Sequence, residues 1–123
     1  MKIKELLESN KNEITMNCWV SPQGKIIPVS MSHDQTANKI LGKSFNIKKG
    51  FAFRQLLNKG YIRIGFFHNA GVYIQCANKQ IAFDMLPEII RRLPVTINLV
   101  YVEWDHPKFF KIMSLIDAEK MFK

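Results

Sequence analysis

The feature that most constrains this chain is a pair of β-rich runs around a turn. Tyr61-Ile62-Arg63-Ile64-Gly65-Phe66-Phe67 leads through His68-Asn69-Ala70-Gly71 into Val72-Tyr73-Ile74-Gln75-Cys76-Ala77. β-Branched and aromatic residues suit a pleated, half-buried surface, and Asn and Gly supply the conformations that reverse a chain. A hairpin here commits the chain to a sheet, and alternation then divides its side chains. Ile62, Ile64 and Phe66 make the better core face. Tyr61, Arg63, Gly65 and Phe67 fall on the other, where Tyr61 and Arg63 are available to a partner.

The rest of the chain adds elements around that hairpin. Residues 14–20 and 25–31 have strand composition and flank Ser21-Pro22-Gln23-Gly24, whose proline and glycine suit a type I turn. Pro28 lacks an N–H, which places its strand at an edge or a bulge. Ser32 with Gln35 forms a capping box, and Gly42 can supply a left-handed end, so 32–42 reads as a helix. Residues 3–10 read as a short first helix, and 51–59 as another ending on Gly60. Asn78 can cap a helix running to Leu93, but an interior proline costs about 3 kcal/mol. At Pro87 the segment is therefore either kinked or begins a shorter helix. A strand over 95–104, a turn at Asp105-His106-Pro107 and a helix capped by Ser114 with Asp117 complete the order. This order predicts an α+β domain over residues 1–123. Its sheet is mostly antiparallel, built from two hairpins and a late strand, with helices packed mainly on one face.

Composition supports a single domain. At 123 residues and 47% hydrophobic content the chain is neither disordered nor divided, and no internal repeat or long linker appears. Mass scaling gives a folded area on the order of 6,800 Å² against about 20,700 Å² unfolded, so no metal or disulfide is needed to hold a core. No apolar run approaches the length of a membrane span, and membrane partners are not expected. The first residues are amphipathic and carry acids rather than the apolar core of a secretion signal. With Cys18 and Cys76 as the only cysteines, the expected compartment is a reducing cytoplasm.

Charge is the strongest pointer to partners. Eighteen Lys and Arg against ten Asp and Glu give a net charge of +8. Between Asp34 and Asp84 there is no acid at all, while Lys39, Lys43, Lys48, Lys49, Arg54, Lys59, Arg63 and Lys79 all fall there. The same stretch holds Phe45, Phe51, Phe53, Tyr61, Phe66, Phe67, Tyr73 and Phe83. Basic groups attract phosphates and aromatic faces stack bases, the mixture that nucleotide or single-strand binding requires. Most of these rings are also needed as core volume, and a solvated basic face explains the charge equally well.

Motifs for catalysis are lacking. The chain has no phosphate-binding glycine loop, no HExxH and no nucleophile elbow, and its histidines and cysteines match no zinc spacing. His33 opens a helix whose free N–H groups could cradle a phosphate beside Ser32, although capping and packing also account for both residues. His68 and His106 read as turn residues. Of Arg91 and Arg92, one suits the helix dipole and the other is left for a carboxylate or phosphate. Trp19 and Trp104 read as core or interface anchors. Phe109-Phe110 would dock on the core or on a second subunit, which leaves a homodimer open.

The run Trp19-Val20-Ser21-Pro22-Gln23-Gly24-Lys25-Ile26-Ile27-Pro28-Val29, His33 opening a helix, and then Gly60-Tyr61-Ile62-Arg63 resemble a pattern in small phage and prophage proteins. The resemblance covers roughly residues 18–93 and carries no activity with it. It implies a viral or mobile-element origin and action by binding host nucleic-acid machinery, defence complexes or nucleotide signals. Among the matching residues Pro22, Gly24 and Gly60 have backbone reasons and Trp19 a packing reason. His33 and Arg63 have no evident structural need. The sequence therefore points to a non-enzymatic binding protein without a cofactor. Its phosphate-bearing ligand, nucleic acid or nucleotide, would meet residues 39–79, with His33, Lys48, Lys49, Arg54, Lys59, Tyr61, Arg63 and Tyr73 as contacts. A module inhibiting a host protein or ribonucleoprotein complex is the alternative, and a small metal-independent nuclease using histidines a further one.

Overall fold

Ser21 closes the first hairpin in the computed structural model, which describes residues 13–42, 51–67, 70–105 and 109–123. Its carbonyl accepts from Gly24 N at 2.8 Å, its N–H donates to Lys25 O, and its hydroxyl accepts from Lys25 N. Gly24 sits at φ +84°, a conformation glycine adopts without strain. The turn joins β1 (Cys18–Val20) to β2 (Ile26–Pro28), and β1 pairs with β3 on its other side. Three residues make a short inner strand, and Asn17 lengthens it in both directions. Its carbonyl accepts from Val29 N at 3.0 Å and its side-chain oxygen from Phe66 N at 2.7 Å.

Two helices follow, α1 (His33–Leu41) and α2 (Phe51–Asn58). The α1 caps are those the sequence carries: Ser32 Oγ accepts from Gln35 N, and Gly42 at φ +67° returns its N–H to Asn38 and Lys39. The central hairpin forms as β3 (Ile62–Phe67) and β4 (Gly71–Gln75), and α3 (Lys79–Arg91) crosses from β4 to the parallel strand β5 (Leu99–Trp104). Pro87 lies inside α3, which continues through it. Burial of Leu86, Ile89 and Ile90 accounts for this. At roughly 1.5–3 kcal/mol for each large side chain, it outweighs the interior proline.

The chain ends with β6 (Phe109–Ser114) and α4 (Leu115–Met121). β6 is a strand that the sequence reading did not foresee; it pairs antiparallel with β5 along its whole length. The expected N-terminal helix over 3–10 lies outside the described residues. Strand order is β2-β1-β3-β4-β5-β6, antiparallel except for β4 and β5. The α+β class and the mostly antiparallel sheet are thus as expected.

Alternation gives the sheet two cores. Cys18, Val20, Ile62, Ile64, Val72, Ile74, Val100 and Val102 face α3 and α4, and this side holds most of the buried residues. Trp19 faces the other way, against Ala37 of α1 and Ala52, Leu56 and Leu57 of α2. This second pair of helices covers β1 and reaches onto β3. Arg91 and Arg92 both find partners: Arg91 pairs with Glu88, and Arg92 donates to Gly24 O at 2.8 Å, clasping α3 to the first turn. Cys18 and Cys76 are buried and unbridged, and desolvation pushes both thiols up to about 12. They remain protonated and inert.

Trp19 is fully buried, and its indole N–H donates to His33 O at 3.0 Å. Replacing Trp19 with Ala is expected to remove about 3–5 kcal/mol of unfolding free energy in a urea titration. Met31→Ala, at a side chain 73% exposed, should stay within about 0.5 kcal/mol of the parent.

Candidate functional site

Beyond the α1–α2 cover, no other described helix lies over the second face of the sheet, called the open face below. The odd-numbered positions of β3, β4 and β5 point to it, and the register carries the pattern onto β6. Tyr101 lies opposite Ile112, and Glu103 opposite Phe110. Four rings from four adjacent strands meet there. Phe67 lies 6.1 Å from Tyr73 and 5.6 Å from Tyr101, and Phe110 closes the set at 6.2 Å from Tyr73 and 6.1 Å from Tyr101. Phe67 is 53% exposed and Phe110 50%. Phe67 and Phe110, joined through Tyr73 and Tyr101, thus make an exposed apolar patch on this face.

Arg63 marks the boundary between the covered and open parts of the face. Its guanidinium carbon lies 5.3 Å from the Phe53 ring centre and 5.4 Å from that of Tyr73, so the cation is held between two rings. Its Nε is buried and has no hydrogen-bond partner among the described residues; the same holds for Asp34 Oδ1. Desolvation lowers the Arg63 pKa, while Tyr73, Asp34 and Glu103 act to raise it. The Tyr73 hydroxyl donates to Glu103, a carboxylate only 4% exposed. Burial, and then that bond to Glu103, push the Tyr73 pKa up, so the phenol stays a donor.

His33 belongs to the same neighbourhood. It is the first residue of α1, but its ring turns back onto the sheet, where Nε2 donates to Ile64 O at 3.0 Å. Its Cε1 would stand 3.9 Å from a Cβ added at Gly65, so the imidazole lies over a glycine of β3. The ring also meets Trp19 edge-on at 6.0 Å. Burial lowers the His33 pKa and nearby Arg63 adds to this; the carbonyls of Ile64 and Cys18 and the Asp34 carboxylate oppose it.

Of the residues singled out from sequence, the fold brings His33, Arg63 and Tyr73 together. Lys59 and Tyr61 lie elsewhere, lining a cleft with Ile40, Leu41, Gln55 and Leu56. Arg54 is exposed on α2. Lys48, Lys49, His68 and His106 lie outside the described residues. Sequence reasoning missed Phe67, Tyr101, Glu103 and Phe110 as a group. Their signal was the alternation of Leu99, Tyr101 and Glu103 against Val100, Val102 and Trp104, which becomes legible once β6 is known to be a strand.

Among the described residues no cluster of three or more His, Cys, Asp or Glu could hold a metal ion, and no helix is long and apolar enough to cross a membrane. Comparison of the chain with protein-family models, curated proteins and solved structures finds no match in any of the three.

The sign of the His33 shift gives a test of its packing. In the unfolded chain the ring takes up a proton near its ordinary value of 6.5, whereas the folded ring resists until lower pH. The unfolded state therefore binds more protons in that window, and stability must fall as pH drops below about 6.5. In His33→Gln, whose amide can still donate to Ile64 O, unfolding free energies from pH 7.5 to 5 should decline less steeply than in the parent. An unchanged slope would remove His33 as its source.

Proposed function

We propose that the open aromatic face binds single-stranded nucleic acid, or a nucleotide as its smallest unit, chiefly by stacking bases on exposed rings. The observation that carries this reading is the ring set of Phe67, Tyr73, Tyr101 and Phe110 beside the ring-held cation of Arg63. Every base has a π-face, and aromatic stacking contributes about 1–3 kcal/mol per base without sequence readout. Duplex DNA hides those faces, which favours single strands.

The charge also supports stacking over phosphate clamping. Asp34 and Glu103 act electrostatically on Arg63, so the field at this point is weaker than the acid-free stretch suggests. Attraction at longer range comes from the net charge of +8. Arg54 and Lys59, with Lys48 and Lys49 from the same basic stretch, are proposed to follow the phosphates. His33 serves this site by positioning α1 against β3, since its Nε2 is already engaged. A phage or prophage setting fits a protein of this kind.

A second reading, a module that inhibits a host defence or nucleic-acid-processing complex, draws on the apolar exposure that continues to Leu99 and Ile112. A complex recovered with host protein after nuclease treatment would favour it.

Fluorescence anisotropy with labelled single strands of about 12 nucleotides, and with the matching duplex, tests the main reading. Single strands should bind more tightly, and the log–log salt slope should be no steeper than about −3. Phe67→Ala and Phe110→Ala should each weaken binding by about 5- to 100-fold. Both side chains are half exposed, so the fold should be little affected. Unchanged affinity in both variants would refute stacking on this face.

A further inference from the structure

Among the described residues the sheet has two outer edges, and they differ. β2 is three residues long and ends on Pro28, which has no N–H to offer. β6 is six residues long, pairs with β5 on its inner side, and has no described strand on its outer side. Phe110 and Ile112 on it are 50% and 49% exposed. Lys111 is the only charged residue of the strand. An unpaired row of N–H and C=O groups flanked by apolar side chains is a template for another strand.

We infer that β6 pairs antiparallel with β6 of a second copy of this chain, about a two-fold axis normal to the sheet at Ile112. Such an axis keeps each face on its own side, so residues opposite one another must share a face and the axis must pass through a residue. At Lys111 it would set two ammonium groups directly opposite, which is destabilising. At Phe110 the paired stretch would run past Phe109, the first residue of the strand. At Ile112 it sets Ile112 against Ile112, Phe110 against Ser114 and Lys111 against Met113. The apolar residues then meet on the open face.

On the helix side, a groove beside β6 is lined by Lys111, Ile112, Met113, Asp117, Lys120 and Met121. In this register Lys111 of the second copy stands opposite Met113, beside a groove whose own charges are Lys111, Lys120 and Asp117. The contact is isologous, each copy offering the other the same strand. The short β2 edge with its proline gives no second template, so assembly stops at two. The pairing also joins the two aromatic faces, with Phe110 of each copy next to the axis. The inference stands on the edge geometry alone and does not depend on nucleic-acid binding.

The test is the solution mass of nuclease-treated full-length protein by sedimentation equilibrium, at concentrations up to about 100 μM. The mass should rise from 14.3 kDa towards twice that value. Ile112→Lys, at a half-exposed position, should keep the fold by circular dichroism and weaken the dimer by at least about tenfold. Paired Cα atoms about 4.5–5.5 Å apart lie within disulfide reach. Ile112→Cys should therefore cross-link two chains under diamide, whereas Val95→Cys, at a side chain 92% exposed, should not. A mass that stays at 14.3 kDa, or a dimer that Ile112→Lys leaves intact, would overturn the pairing. Equal cross-linking at both cysteine positions would overturn the register.

Discussion

The contact on which the second face depends is the one between Trp19 and His33. The indole lies fully inside, donating to the His33 carbonyl, and the imidazole of the same residue donates to Ile64 O. One residue at the start of α1 is thus tied through its backbone to β1 and through its ring to β3. Phe53 of α2 completes the packing, edge-on to Trp19 at 5.3 Å. Around this anchor Ile27, Val29 and Tyr61 pack against the same cluster, which Ala37, Ala52, Leu56 and Leu57 form with Trp19. The His33 ring lies over Gly65, where an added Cβ would stand in ordinary contact with it at 3.9 Å.

Much of this was legible in the sequence, for local reasons. Ser32, Gln35 and Gly42 set the bounds of α1 by hydrogen bonds within a few residues, as Asn78 does for α3 and Ser114 for α4. Both early hairpins carry their own turn chemistry. What escaped depends on distant packing. Phe109-Phe110 has no turn glycine before it, and the strand forms because Phe109 stacks on Trp104 with ring centres 3.7 Å apart while β5 supplies the ladder. The two-sided cover of the sheet is likewise decided by the direction Trp19 faces. That follows from its parity with Cys18 and Val20 and from nothing in its own composition.

Charge was the feature most altered by folding. The stretch from 35 to 83 has no acid in sequence, yet Asp34 at its border and Glu103 from β5 both act on Arg63, its most enclosed cation among the described residues. A linear count measures long-range attraction, which depends on the total. It says little about a single site, where a few ångströms decide. His33 and Arg63 were suspected because no structural need for them was visible. The fold supplies one for His33. Arg63 is held between Phe53 and Tyr73, while its buried Nε stays unpaired among the described residues.

That residual imbalance bears on what the open face can do. A guanidinium lies between Phe53 and Tyr73 without a hydrogen bond at Nε among the described residues. Tyr73 is fixed in turn by its bond to Glu103. Arg63, the Tyr73 hydroxyl and Glu103 therefore form a polar margin beside Phe67, Tyr101 and Phe110, of which Phe67 and Phe110 are half open to solvent. A surface built only for solubility would put its charges outermost and its rings beneath them. Here Glu103 is buried while Phe67 and Phe110 stand exposed. This inversion costs desolvation of a carboxylate and exposure of apolar area, and a ligand that stacks on the rings would recover the second of these costs.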